Sequence, residues 1–405
     1  MRGNMTQKVR RTLFTLSVLG DLGNSLLLVT SIAYGVTLTT DPLIVGFIGA
    51  AYGFTYLITP GILGWLGDKF PRKTSLLIAS SGQTIIAMIL FLFANSPLIL
   101  ILGQIGLGIV YGFFWPSIEA YTSEISIPNT TQSWEHSHKK SILMFCIAWS
   151  IGYMIGPLLA GVFSDYFLSG AFITVIIVYL TEIILVVINL PKLNTHSPMT
   201  SQEINEKNDL EENDSTRLKQ NTISLFELIV TIFLYSFLSK TIFTYFADYS
   251  LDPHGLQWTE SLMGIVIFMF GLGRTLYFIV NYVWVHVRST MKLILYTFLG
   301  MGLCLMSISF TKNPFIMSII LLFLGIGAGI VYSSALDLML QQTQKRKGAK
   351  AGIFESMVGL GSILAPLVAG WIARKTILTI PFYAFAGFTF VIFLIFFLLE
   401  YLRKK

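Results

Sequence analysis

The sequence predicts an all-α polytopic membrane protein, with twelve transmembrane helices arranged as two six-helix, pseudo-symmetric lobes. Three observations predict it. The 405-residue chain is 54% hydrophobic and only 12% charged, about half the charge of a soluble domain, so most of its surface faces something other than water. Apolar runs near the ~20 residues that cross a bilayer begin close to Thr12, Leu43, Thr74, Leu98, Ser141, Ala171, Leu225, Ser261, Met291, Phe315, Ala349 and Ile380. Two patterns in the first half of the chain return, in order, in the second. Runs of this length without strand alternation exclude a barrel, which leaves helices as the way to satisfy the backbone in lipid.

Met1 to Arg11 is basic and precedes an apolar run longer than a signal peptide needs, without a small-residue cleavage site, so it reads as a retained first helix. With both termini cytoplasmic, 22 of the 27 Lys and Arg residues fall on the inner side, outside it only Lys312, Arg374 and Lys375, and within spans Lys240 and Arg274. That bias fixes the expected orientation, in a plasma membrane. Residues 191–221 are polar, rich in Asn, Ser, Thr, Glu and Lys, and aperiodic; they read as a flexible cytoplasmic linker between lobes 1–190 and 222–405. Gly106-Leu107-Gly108-Ile109-Val110-Tyr111 in span four returns as Gly327-Ala328-Gly329-Ile330-Val331-Tyr332 in span ten. The ten residues Gly152 to Gly161 in span five return as Gly361 to Gly370 in span eleven, with Gly156-Pro157 echoed by Ala365-Pro366. Two such repeats are what two-lobed secondary transporters are built from.

Composition excludes several functions. The net charge of +6 is explained by the inner loops, and no basic stripe on a soluble face points to nucleic acid. Cys146 and Cys304 lie inside apolar runs as small core residues, neither metal ligands nor disulfide partners. His136, His138, His196, His254 and His286 fall in loops or at span ends, so no in-span pair holds haem. No G-x-x-x-x-G-K-[ST] loop occurs, which disfavours an ATP-driven pump. An enzyme is not expected, nor any cofactor or metal; the expected partners are a small-molecule substrate, a coupling proton and the lipid bilayer, with the protein a monomer.

The ten residues from Gly64 to Lys73 join spans two and three through a short charged turn, in which Gly64 and Gly67 permit close backbone approach and Asp68, Arg72 and Lys73 hold the interface. This stretch resembles the loop between helices two and three of the major facilitator superfamily, with Lys69 for the usual Arg and Pro71 for the usual Gly. The decad around Gly156-Pro157 resembles that family's fifth-helix signature, with Ala160 for a glycine. Gly152, Gly156, Pro157 and Gly161, with Pro366 and Gly370 in the repeat, read as a helix-packing motif in which glycines bring helices close and proline permits a bend.

The resemblance implies the family's two-lobed fold and a cavity lined by spans one, four, seven and ten. It implies that Asp68 faces the N-terminus of span eleven near Gly348, while Glu119 or Glu124 receives Arg72, a latch for the outward-facing state. Its fifth-helix signature implies an antiporter that expels drugs. Gln104 stands where many proton-coupled members have Arg, which counts against the usual route of coupling.

Charges inside spans cost ~2.5–3.5 kcal/mol each on insertion scales and are functional candidates. Asp21, Glu182, Lys240 and Arg274 qualify. Asp21 in span one and Lys240 in span seven fall within a residue of each other when the repeats are aligned, and are expected to face each other across the cavity. Arg274 is expected as a second cation there, and Glu182 as a structural contact. Asp337 and Glu355 suit a gate. Trp115, Tyr245 and Tyr249 are expected near the cavity, and Asn24 and Gln83 as hydrogen-bonding groups for a solute or between helices. The expected activity is export of an amphipathic or aromatic solute in exchange for protons; uptake of a small metabolite, and a non-transporting receptor of the same fold, are the alternatives.

Overall fold

A computed structural model describes residues 2–67, 70–125, 134–191, 224–284, 290–341 and 347–403. Among them are twelve helices long and apolar enough to cross a bilayer. Spans one to six are Gln7–Leu38, Pro42–Leu63, Arg72–Phe93, Pro97–Glu119, Leu143–Tyr166 and Ser169–Asn189. Spans seven to twelve are Leu225–Leu251, Glu260–Trp284, Met291–Ile308, Pro314–Leu338, Phe354–Lys375 and Ile380–Arg403. No strand occurs among the described residues. Several helices overrun their apolar cores: that of span one starts at Arg2 and that of span five at Trp134. Hydropathy marks only the part in lipid, while helical hydrogen bonding continues beyond it.

An even number of crossings puts both chain ends on one side of the bundle, here called the termini side; the other is the far side. Asp68, and all of the predicted 191–221 linker but its first residue, lie outside the described residues, as does the side chain of Glu124.

The repeated decads explain how the helices are held. In span five a methyl group added to Gly152 or Gly156 would collide with the backbone of span one at Val18 and Leu26, so these glycines seat span one. The last glycine of the decad faces elsewhere: a methyl on Gly161 would strike the Glu260 carbonyl of span eight. Span eleven repeats the arrangement. Gly361 packs on Ser236 and Phe237 of span seven, and Gly370 on the Pro42 carbonyl of span two. Each decad therefore joins one helix of its own half and one of the other. The proline carbonyls complete the pattern, since Pro157 O abuts Gly264 in span eight and Pro366 O abuts Gly46 in span two. Where the hydrophobic effect no longer drives association, such close backbone approach is what binds helices.

Span two breaks between helices Pro42–Tyr56 and Thr59–Gly67, just before Pro60, whose ring disfavours a continuous helix. Thr55 and Thr59 donate to the Ile105 and Gly108 carbonyls of span four (2.9 and 2.8 Å). Gly108 and Gly112 leave the room that these threonines fill. Lys73 donates to the Val187 and Leu190 carbonyls (both 2.8 Å), a cation at the C-terminal end of span six, where the helix dipole favours it.

Span seven is irregular where it matters. After helix Leu225–Lys240 it passes through a π-helical turn, Thr241–Phe246, before Ala247–Leu251. Such turns concentrate at functional sites. Its start is fixed by a capping box of Ser224 and Glu227, and the buried Glu227 also pairs with Arg403 at 2.7 Å. This ties the end of span twelve to the beginning of span seven.

Candidate functional site

Between the two sets of six helices lies a cavity of about 110 Å³. It is somewhat smaller than the roughly 150 Å³ engineered void that takes up benzene, but it is only partly enclosed, so a solute larger than benzene extends out of it. Span one contributes Asp21 and Asn24, span seven Ser236, Ser239 and Lys240, and span eight Arg274. Glu119 and Glu355 come from spans four and eleven, at the termini side. Most of the remaining wall is aromatic: Tyr52, Trp115, Trp149, Tyr153, Tyr235 and Tyr332 all line it.

The cations are held by rings. Lys240 Nζ donates to Tyr153 Oη at 2.8 Å and lies 5.3 Å from the centre of the Tyr52 ring. The Arg274 guanidinium sits 4.6 Å from the Trp149 ring centre and 5.1 Å from that of Tyr153. Its Nε donates to Ser150 Oγ (3.1 Å) and its Nη1 to Tyr235 Oη (3.3 Å). Ser150 is in span five and Thr275, beside Arg274, bonds to it at 2.8 Å, so the arginine is anchored at the seam of spans five and eight. Asp21 lines the same cavity as Arg274, Lys240 and Glu355, near enough to feel their charges. Among the described residues no direct ion pair joins Asp21 to Lys240.

The far side of the cavity is closed along two seams. Asp41, which caps span two, pairs with Arg374 at the end of span eleven (3.5 Å). On the second seam the carboxylate of Asp165 accepts from the Glu260 and Ser261 amides (3.0 and 2.9 Å), capping the first turn of span eight. Toward the termini side, Tyr56 Oη donates to Glu355 (2.7 Å) and Ser356 to the Leu57 carbonyl (3.1 Å).

A profile of the Major Facilitator Superfamily matches residues 13–351. The chain belongs to that superfamily. It is a transporter embedded in a membrane, not an enzyme. An uncharacterized MFS-type transporter of Bacillus subtilis (strain 168), YfkL, is 25% identical over 343 residues, 83% of this chain and 81% of that one. Among solved structures, the human organic anion transporter MFSD10 (TETRAN) superposes with a TM-score of 0.68 at 15% identity, covering 96% of this chain and 99% of that one. A POT family transporter in complex with a thioalcohol-conjugated peptide gives 0.74 at 13% identity, covering 97% and 96%. At such identities these likenesses speak for the fold alone.

Of the residues singled out from the sequence, Asp21, Asn24, Trp115, Glu119, Lys240 and Arg274 meet at the cavity of this transporter. Tyr245 does not. Its ring is buried against Phe382 and its hydroxyl donates to the Leu378 carbonyl (2.5 Å), because a buried phenol needs an acceptor and the turn before span twelve supplies one. Tyr249 likewise packs on Phe382. Gln104 donates to Ser31 of span one at 3.1 Å and acts between helices. Glu182 accepts from Ser80 (3.0 Å) inside the first six helices, away from the cavity wall. The aromatic wall was missed, apart from Trp115. One signal existed: Tyr332 ends the span-ten copy of the repeated Gly-x-Gly-Ile-Val-Tyr pattern, whose first copy ends in Tyr111.

Proposed function

We propose that this protein is a secondary active transporter that exports a small organic solute by alternating access in exchange for protons. Its termini face the cytoplasm, its lobes are residues 1–190 and 222–405, and it works as a monomer. The observation that carries the reading is the cavity between the two sets of helices, with a carboxylate on span one near two cations on spans seven and eight. Alternating access needs a site at the middle of the membrane that both halves contact, and seams that separate at one end while closing at the other. The glycine-lined contacts of span two with eleven and of span five with eight suit such seams.

Asp21 is the group proposed to carry the proton. A carboxyl group near fixed cations in a closing cavity binds or releases a proton according to what else occupies the cavity. The test is solute flux in proteoliposomes under an imposed pH gradient. Asp21→Asn is expected to abolish gradient-driven flux while sparing solute binding; full gradient-driven flux in that variant would assign coupling to another acid, Glu119 or Glu355. A second reading is facilitated diffusion or uptake of a small metabolite, which Gln104 favours, since it occupies the position of the usual arginine and is spent on Ser31. Flux insensitive to the gradient in the unaltered protein would select facilitated diffusion, and solute flux in the same direction as the protons would select uptake by symport.

A further inference from the structure

The charges of the cavity differ in kind. Asp21, Glu119 and Glu355 are carboxyl groups, which can become neutral by taking up a proton, and Lys240 can become neutral by losing one. Arg274 cannot, because a guanidinium stays charged at any pH a protein tolerates. It is 1% exposed, yet no carboxylate pairs with it directly among the described residues. A buried cation without a paired anion is costly to maintain, by several kcal/mol in general. Two of its nitrogens are spent on Ser150 and Tyr235, whereas Nη2 has no hydrogen-bond partner among the described residues. The Trp149 and Tyr153 rings lie against the group and, with the two hydrogen bonds, hold its unused donor in place.

Lys240 stands close by. Its ammonium lies 5.4 Å from the centre of the same Tyr153 ring and makes one hydrogen bond through its three donors. Both cations thus neighbour one ring of the cavity wall, Lys240 at its hydroxyl, and an anion between them would meet a directed donor from Arg274 and a movable one from Lys240. A charge-assisted bond from a guanidinium nitrogen to a carboxylate is among the strong hydrogen bonds. The walls beyond these two cations are the edges and faces of tyrosine and tryptophan, which favour a flat apolar body.

We propose that the cavity binds a small aromatic carboxylate, its carboxylate group seated between Arg274 and Lys240 and its ring against Trp149, Tyr153 and Tyr332. This deepens the transport reading above and rests on it for its physiological meaning. Binding itself requires no flux, so the two can fail separately.

The experiment is isothermal titration of the purified full-length protein in lipid nanodiscs at neutral pH. Benzoate and indole-3-acetate are titrated beside their neutral amides, benzamide and indole-3-acetamide, and their cationic counterparts, benzylamine and tryptamine. The acids are expected to bind at least tenfold more tightly than either set. Arg274→Gln and Lys240→Met are each expected to raise the dissociation constant of the acids at least tenfold. Should Arg274→Gln not give a monodisperse protein, Lys240→Met decides. No binding of either acid, amines binding as tightly as acids, or acid affinity unchanged in the well-folded variants would each overturn the proposal. Proteoliposome flux of radiolabelled benzoate is measured separately. Binding without flux leaves the anion site standing and counts against transport; flux of other solutes without acid binding does the reverse.

Discussion

Replacing Gly46 by alanine tests whether the seam between spans two and eleven is a moving part. The added methyl would lie 2.6 Å from the Pro366 carbonyl oxygen. An ordinary contact of this type is about 3.4 Å, and the obstacle is backbone, so the two helices must part by most of an ångström. Overfilling a tight contact costs about 1–3 kcal/mol. If the far end separates in the alternate conformation, the cost falls on the conformation described here alone, which shifts the balance by about 5- to 150-fold toward the alternate one. Gly359, toward the termini side of the same seam, provides the opposite test. A methyl there would lie 2.7 Å from Leu57 Cα, and it penalises closure at the termini side instead. Spin labels at Thr40 and Thr376, both exposed at the far side on opposite halves, report the opening by double electron–electron resonance. Gly46→Ala should enlarge the long-distance population and Gly359→Ala should diminish it. Equal shifts for both, or a fall in thermal stability with unchanged distances, would refute the reasoning and make these glycines plain packing residues.

Two further outcomes are expected. Gly300→Ala and Gly387→Ala, where an added methyl meets nothing within 4 Å, should leave the same distance distributions unchanged and thermal stability equal or higher, since alanine is favoured over glycine in a helix by up to about 1 kcal/mol. Arg403→Ala strips the charged partner from the buried Glu227 carboxylate, leaving it only Ser224, and should lower stability by about 1–3 kcal/mol, read as a lower midpoint of thermal unfolding in detergent, without altering ligand affinity at the cavity.

Much of this molecule is legible in its sequence, for physical reasons that also mark where legibility stops. Span length is set by the bilayer, so apolar runs announce helices whatever their neighbours. Charges such as Asp21, Lys240 and Arg274 stand out because lipid penalises them, and that penalty is what makes them candidates for the cavity wall. Glycines at 152, 156, 361 and 370 are legible as close contacts, but which helix each meets is not, because one residue type serves both partners of a two-faced helix. Aromatic side chains are less informative still. Tyr153 and Tyr245 look alike in an apolar run, since a ring facing lipid, a seam or a cavity satisfies the same hydropathy; only packing separates the one that holds Lys240 from the one that bonds to Leu378. The π-helical turn after Lys240 has no compositional sign at all, for Thr241–Phe246 is an ordinary apolar stretch.

The two charge contacts on the far side are of a different character from the seams they border. Arg374 is 56% exposed and Asp41 25% exposed, and Asp165 is exposed as well. Dissolved ions reach such groups: at an ionic strength near 0.1 M the screening length is about 10 Å, and it shortens as salt is added. The glycine contacts begin about one turn deeper, involve no charge and are indifferent to the medium. The closure therefore has a fringe that salinity loosens and a body that it does not, so the ionic strength of the medium on the far side can set how readily that end parts.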